Sequence, residues 1–252
     1  LMTKLIILGS ANAVPDVNHQ NTHFVVKGEQ DFLMVDCVGN PIVLLERVGL
    51  DFNHLTDLFL THFHPDHVSG VPLLLMDMWL LGRQRKLNVY GLHPTIDRLE
   101  QLMDSFEWQN WPNFFPIGFH RLPAKERVVA LSNDQFRVYT SPVRHLIPTM
   151  GLRIEIPATG KAIAYSCDTE PCSMVENLAQ GVEVLLHEAA GEAQGHSTAA
   201  QAGQVARDAG AQTLYLIHYD ARNADLTQLV ADAQATFGDD VILAEDLMEI
   251  AI

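Results

Sequence analysis

The chain has 252 residues, 48% of them hydrophobic, and its 31 aspartates and glutamates against 16 lysines and arginines give a formal charge of -15. That size and apolar content suffice for a large buried core in one α/β domain over residues 1–252 and exclude a disordered chain. The acidic balance argues against a general nucleic-acid binder, and no uncharged apolar run reaches the roughly 18 residues a membrane span needs, so a cytoplasmic protein is expected.

In chain order, strand-like apolar runs are expected at KLIIL, HFVV, DFLMVD, DLFL, LNVYG, RVVAL, FRVYTS, GLRIEI, KAIAYS, VEVLL, TLYLI and DVILA. Helical patterns fall between them over Pro41 to Val48, Val71 to Leu81, Thr95 to Phe106, Pro171 to Ala179, Ser197 to Ala209 and Leu226 to Phe237. This alternation is the layout of sheets covered by helices. FRVYTS and GLRIEI lie so close in sequence that they read as antiparallel neighbours, so the sheets are mixed. One irregular segment, FEWQNWPNFFPIGF at 106–119, offers aromatics for a lid, a pocket wall, a subunit contact or ordinary core packing. Three cysteines, Cys37, Cys167 and Cys172, lack Cys-x-x-Cys spacing and read as buried thiols. Charge is uneven. From Asp168 onward there are 15 acidic residues against Arg207 and Arg222, so that third carries -13 of the total.

The chemistry gathers in THFHPDHVSG, residues 61–70. His62 and His64 are two apart, and on an extended backbone both side chains leave one face. Pro65 disfavours a helical His64 and keeps the stretch extended. The chain then turns toward the helix at Val71, which sets Asp66 and His67 near its entrance, aimed at a second point close by. Two neighbouring metal ions would use all four, and imidazole with carboxylate suits zinc, manganese or iron. Further along, His145, Asp168, His187 and His218 each stand where an apolar strand stops, the place where open α/β sheets build ligand sites.

HFHPDH matches the His-x-His-x-Asp-His signature of the metallo-β-lactamase fold superfamily, and later segments resemble its ribonuclease Z branch. LGSANAVPDVNHQNTHFVV resembles that branch's amino-terminal loop, FLMVDC its next strand with Asp36, and VRHLIPTMGLRI the segment of its third ligand histidine. AYSCDT resembles its bridging aspartate, LLHEAA and GHSTAAQAGQVA its two histidine boxes, and LIHYD its last ligand. The resemblance implies a four-layered αβ/βα sandwich, two mixed β-sheets face to face with helices outside. It also implies one cation on His62, His64 and His145, a second on Asp66, His67 and His218, and Asp168 bridging them with a shared water or hydroxide. Asp66 would accept the water's proton. Glu188 would orient His196, which would protonate the leaving oxygen. His187 would play a supporting part, and Asp36 would hold a ligand histidine from behind.

Three departures narrow the expected activity. The usual bacterial ribonuclease Z inserts a tRNA-gripping arm between its third histidine and bridging aspartate, whereas His145 and Asp168 are 23 positions apart. Glu188 and His196 are only eight apart, and Ala190 and Cys167 replace a threonine and a glycine. On an extended backbone Cys167 would point away from the metals. The expected function is a dinuclear, zinc-dependent phosphodiesterase acting on an RNA end or a small or cyclic nucleotide-like phosphodiester, with full-length tRNA disfavoured. A carboxylic ester or lactone hydrolase, or a non-catalytic metal binder, are the alternatives. The helix VPLLLMDMWLL and the aromatic segment after it would supply either a homodimer surface or core.

Overall fold

The computed structural model describes residues 3–252. In chain order its elements are strands β1 (Lys4–Gly9), β2 (His23–Lys27) and β3 (Phe32–Val35), helix α1 (Pro41–Arg47), strand β4 (Leu55–Phe59), helices α2 (Pro65–Val68) and α3 (Val71–Leu80), strand β5 (Leu87–Leu92), helix α4 (His93–Ser105) and strand β6 (Ile117–Leu122). The second half adds strands β7 (Val128–Ser132), β8 (Arg137–Val143), β9 (Thr149–Ile156) and β10 (Lys161–Tyr165), helix α5 (Ser173–Ala179), strand β11 (Val184–Glu188), helix α6 (Ala199–Ala209), strand β12 (Thr213–Ile217), helix α7 (Leu226–Phe237), and strands β13 (Val241–Leu243) and β14 (Glu249–Ala251).

Among the described residues the strands form two seven-stranded sheets, ordered β14-β1-β2-β3-β4-β5-β6 and β13-β12-β11-β10-β9-β8-β7. Each is mixed: β3 to β6 and β10 to β13 run parallel, while β1 to β3 and β7 to β10 pair antiparallel. Strand alternation explains the layering. In β1, Leu5 and Ile7 enter the core between the sheets while Ile6 and Leu8 face the helix layer. β11 repeats the division with Leu186 inward and Leu185 toward the helices. Apolar runs without polar alternation are therefore required, because both faces of these strands are buried. This is the expected four-layered sandwich.

Several boundaries moved. α6 starts at Ala199, because the Thr198 side chain accepts from the Gln201 amide and Gln201 reaches back to Thr198, a capping box. That leaves His196 and Ser197 outside the helix. Within 106–119 the aromatics other than exposed Phe106 pack on the helix side of the first sheet, with Phe115 buried and Trp79 stacked on Trp111, and the segment runs into β6, an unexpected strand. β14 was also unexpected; it brings the end of the chain from the second sheet back to β1. In α3, Val71, Leu74, Leu75 and Met78 are buried while Leu73, Leu80 and, just past its end, Leu81 are exposed. Among the described residues no helix is long and apolar enough to cross a membrane.

Candidate metal centre

β4 delivers the chain to Thr61, and His64 is extended (φ -90°, ψ 150°) at the entrance to the short helix α2, with Pro65 in its first turn. His62 and His64 therefore converge as expected: His62 Nε2 lies 2.9 Å from His64 Nδ1. His145, two residues beyond β8, joins them, its Nε2 3.2 Å from His64 Nδ1. Asp66 and His67, turned by α2, face a second point. There His67 Nε2 and His218 Nε2 lie 3.5 Å and 3.6 Å from Asp66 Oδ2.

Asp168, past the end of β10, joins the two groups. Its Oδ2 is 3.5 Å from both His67 Nε2 and His218 Nε2, and 3.9 Å from both His62 Nε2 and His145 Nε2. A tetrahedral zinc with bonds of about 2.0–2.1 Å sets its ligand atoms about 3.3 Å apart, so these separations suit cations at the two foci. The hydrogen-bond pattern agrees. His67 Nε2, His218 Nε2 and Asp168 Oδ1 are buried without a hydrogen-bond partner, at a cost of roughly 1–3 kcal/mol each unless another partner takes their lone pairs. Divalent cations would be that partner, and the residues present fit them.

The outward ring nitrogens are mostly anchored. Asp36 Oδ2 accepts from His67 Nδ1 at 2.7 Å, as expected of Asp36, and Thr61 Oγ1 donates to the same carboxylate while lying 3.1 Å from His62 Nδ1. His145 Nδ1 donates to the Gly195 carbonyl at 2.8 Å. Gly195 has φ +83°, and a Cβ there would stand 2.9 Å from His145 Nδ1, so the position demands glycine twice over. Neither Thr61 nor Gly195 was singled out in the sequence. A Gly followed by the His-Ser-Thr box was the available signal for the second.

Burial pushes His62 well below the ordinary histidine range and lowers His64 and His145 too, which keeps these imidazoles neutral with lone pairs available. His67 differs. Burial opposes its charge, but Asp168 and Asp36 outweigh burial and raise it well above the ordinary value.

Beside the two groups stands a carboxylate–imidazole pair. Glu188, at the end of β11, is fully buried; its Oε1 accepts from His196 Nδ1 at 3.0 Å and from the amides of Thr169 and Ser197, and its Oε2 accepts from the Ala190 amide. That hydrogen bond raises the His196 pKa, with burial opposing, while burial pushes the Glu188 carboxyl up. His196 opens on a cleft of about 450 Å³ whose lining includes Glu170, Glu192, Gln194 and Gln201 and contains no lysine or arginine. His187 is buried in β11 with Nδ1 on the Glu188 carbonyl, outside both groups.

Cys167 departs from the expected extended backbone: it is left-handed (φ +55°). Its Sγ lies 3.6 Å from His62 Nδ1, the outward ring nitrogen, and its side chain is buried in the core between the sheets.

In sequence the chain is similar to the ribonuclease Z of Methanothermobacter thermautotrophicus, 25% identical over 305 aligned residues covering 100% of this chain and 97% of that one. Of solved structures, the metallo-β-lactamase fold protein YhfI from Bacillus subtilis superposes with a TM-score of 0.84 at 18% identity, covering 99% of both chains. Human tRNase Z, short form, superposes at 0.81 with 23% identity and 99% coverage of both. The metallo-β-lactamase fold is thereby shown, in a ribonuclease Z-like form. The model of the family described as Anti-Pycsar protein Apyc1 matches residues 3–239, a span that takes in both groups of ligand atoms and the Glu188–His196 pair, and the chain belongs to that family.

Proposed function

We propose that this chain is a metal-dependent phosphodiesterase, with His62, His64 and His145 holding one divalent cation, Asp66, His67 and His218 a second, and Asp168 serving both. The observation that carries the reading is Asp168 Oδ2, placed within 3.9 Å of ligand nitrogens from both groups. Zinc is the first choice for such a donor set, with manganese or iron as alternatives. Two such cations, when bound, supply Lewis acidity at phosphorus and lower the pKa of an attacking water.

The chain's own residues do the rest. Asp66, at the rim of its group, takes the proton released as the nucleophile forms. His196, protonated and held by Glu188, gives a proton to the leaving oxygen. The relatives' name, ribonuclease Z, supports a phosphodiester over an ester. Between His145 and Asp168 the chain is spent on β9, β10 and their turns, with no arm to grip tRNA. The cleft beside His196 has no lysine or arginine in its lining, and the adjoining pocket at His145 adds only Arg144, so an RNA end or a small or cyclic nucleotide-like phosphodiester fits better than full-length tRNA. Cys37, Cys167 and Cys172 are unpaired, in keeping with a reducing cytoplasm. A homodimer belongs to the same reading, with exposed Leu73, Leu80 and Leu81 as its apolar surface; sedimentation equilibrium tests it.

Elemental analysis of the purified protein, paired with hydrolysis of bis(p-nitrophenyl) phosphate and of p-nitrophenyl esters before and after chelation, tests the function. Chelator-sensitive phosphodiester cleavage with two bound equivalents is expected. Faster ester cleavage would transfer the site to carboxylic esters or lactones, and tight metal without turnover of either substrate would make it a binding protein.

A further inference from the structure

Among His62, His67, His145 and His218, the last is held differently. The first three each have their outward ring nitrogen anchored, by Thr61, Asp36 and the Gly195 carbonyl. His218 Nδ1 is buried with no hydrogen-bond partner. Its backbone is left-handed, φ +53°, a conformation that costs a non-glycine residue about 1–2 kcal/mol and persists only where the surroundings impose it. The position of this imidazole therefore depends on what grips its main chain.

That grip is traceable. The His218 amide donates to the Ser10 carbonyl at 2.8 Å, and the next residue, Tyr219, accepts from the Asn12 amide at 3.0 Å. Ser10 is itself clasped by Asp246: Oδ1 accepts from the Ser10 amide at 2.9 Å and from Ser10 Oγ at 2.8 Å. Asp246 Oδ2 accepts from the Gln20 amide at 2.7 Å, so one carboxylate ties both ends of the loop 10–20. Asp246 sits in the crossover between β13 and β14, which is locked to β1 by Leu247 N donating to Ile7 O at 2.8 Å. It also lies beyond residue 239, where the family match ends.

We propose that Asp246 is a positioning residue for the carboxylate-containing cation group: by clasping Ser10 it holds the strained backbone of His218 and thereby aims that imidazole. The inference rests on the reading of His218 as a ligand. It predicts an asymmetric defect, because no corresponding link runs from Asp246 to His62, His64 or His145. The test is zinc titration against a competing chelator with Asp246→Asn placed in two backgrounds. In His64→Ala the remaining tight cation occupies the carboxylate-containing group, and Asp246→Asn should weaken it about tenfold or more, the range for losing an outer support. In His67→Ala the remaining cation occupies the three-imidazole group, and the same change should leave its affinity within about twofold. Equal weakening in both backgrounds, or none in the first, overturns the inference. If the asparagine variant does not fold, Ser10→Ala, which deletes only the Oγ hydrogen bond, must show the same asymmetry at smaller size or the inference falls. Fewer than two zinc ions on the unaltered protein would instead overturn the ligand reading itself, and the inference with it.

Discussion

The two candidate ligand groups meet at one aspartate and differ in almost everything else. His62, His64 and His145 are neutral imidazoles, depressed by burial, with no acidic group of their own. Across Asp168, the other group contains Asp66, and its His67 is flanked by Asp36 and Asp168, which overcome burial and raise its pKa well above the ordinary value. The difference teaches that, on the proposed metal reading, loading the second focus would work against the raised pKa of His67, whereas loading the first would meet imidazoles whose pKa burial already lowers.

Removing the shared member should have the largest effect. Asp168→Asn should strip cation from both groups and lower phosphodiester turnover by about a thousandfold or more, roughly 4 kcal/mol of barrier. Retention of two full equivalents on elemental analysis would show that the groups do not depend on Asp168. Next in size is His196→Ala, which lies outside both groups: kcat should fall by about 10²–10⁴ with both equivalents retained. The fall should be larger for an alkoxide leaving group than for p-nitrophenolate, and an equal fall for both would remove His196 from the role of acid.

Asp36→Asn should be selective in a milder way. It removes the negative charge opposite His67 Nδ1 and one of the two acceptor oxygens that Asp36 divides between His67 and Thr61, so cation affinity should drop by about 10–100-fold in the carboxylate-containing group, measured by chelator competition in a His64→Ala background. The contrast also has a pH signature. Below the raised His67 pKa a proton must leave as the cation enters, so affinity in that background should climb with pH by about tenfold per unit. A His218→Ala protein, which reports the three-imidazole group, should climb less near neutrality because its ligands are already neutral. Parallel slopes would abolish the distinction. The smallest expected change is in Glu188→Gln. His196 must be protonated to act, and Glu188 raises its pKa, so activity falls as pH rises through that raised value; without the carboxylate, the alkaline limb of the pH–kcat profile should move to lower pH.

The dense ligand loop was legible because its information is local. His62 and His64 share a face by strand alternation, and Pro65 enforces the extended backbone that alternation assumes. His145, Asp168 and His218 were legible more weakly, as polar residues at the ends of apolar runs, and their order along the chain tied them to a family. The left-handed backbone of Cys167 was not legible, because alternation presumes a regular strand. β14 escaped for another reason: only Ile250 of its residues is buried, with Glu249 and Ala251 exposed, so no apolar run announces a strand there.

By itself the chain's linear order determined that helices would cover mixed sheets and that a cluster of imidazoles and carboxylates would gather at strand ends, because periodicity and short spacings are properties of neighbouring residues; that the sheets number two followed from the family resemblance. Folding alone decided which ring nitrogen each ligand presents and what steadies it from behind. Thr61 and Asp36 are 25 positions apart, His145 and Gly195 are 50 apart, and Ser10 and Asp246 are 236 apart. Such partnerships exist only once the sheets have packed, since no local preference can specify a hydrogen bond between residues so distant along the chain.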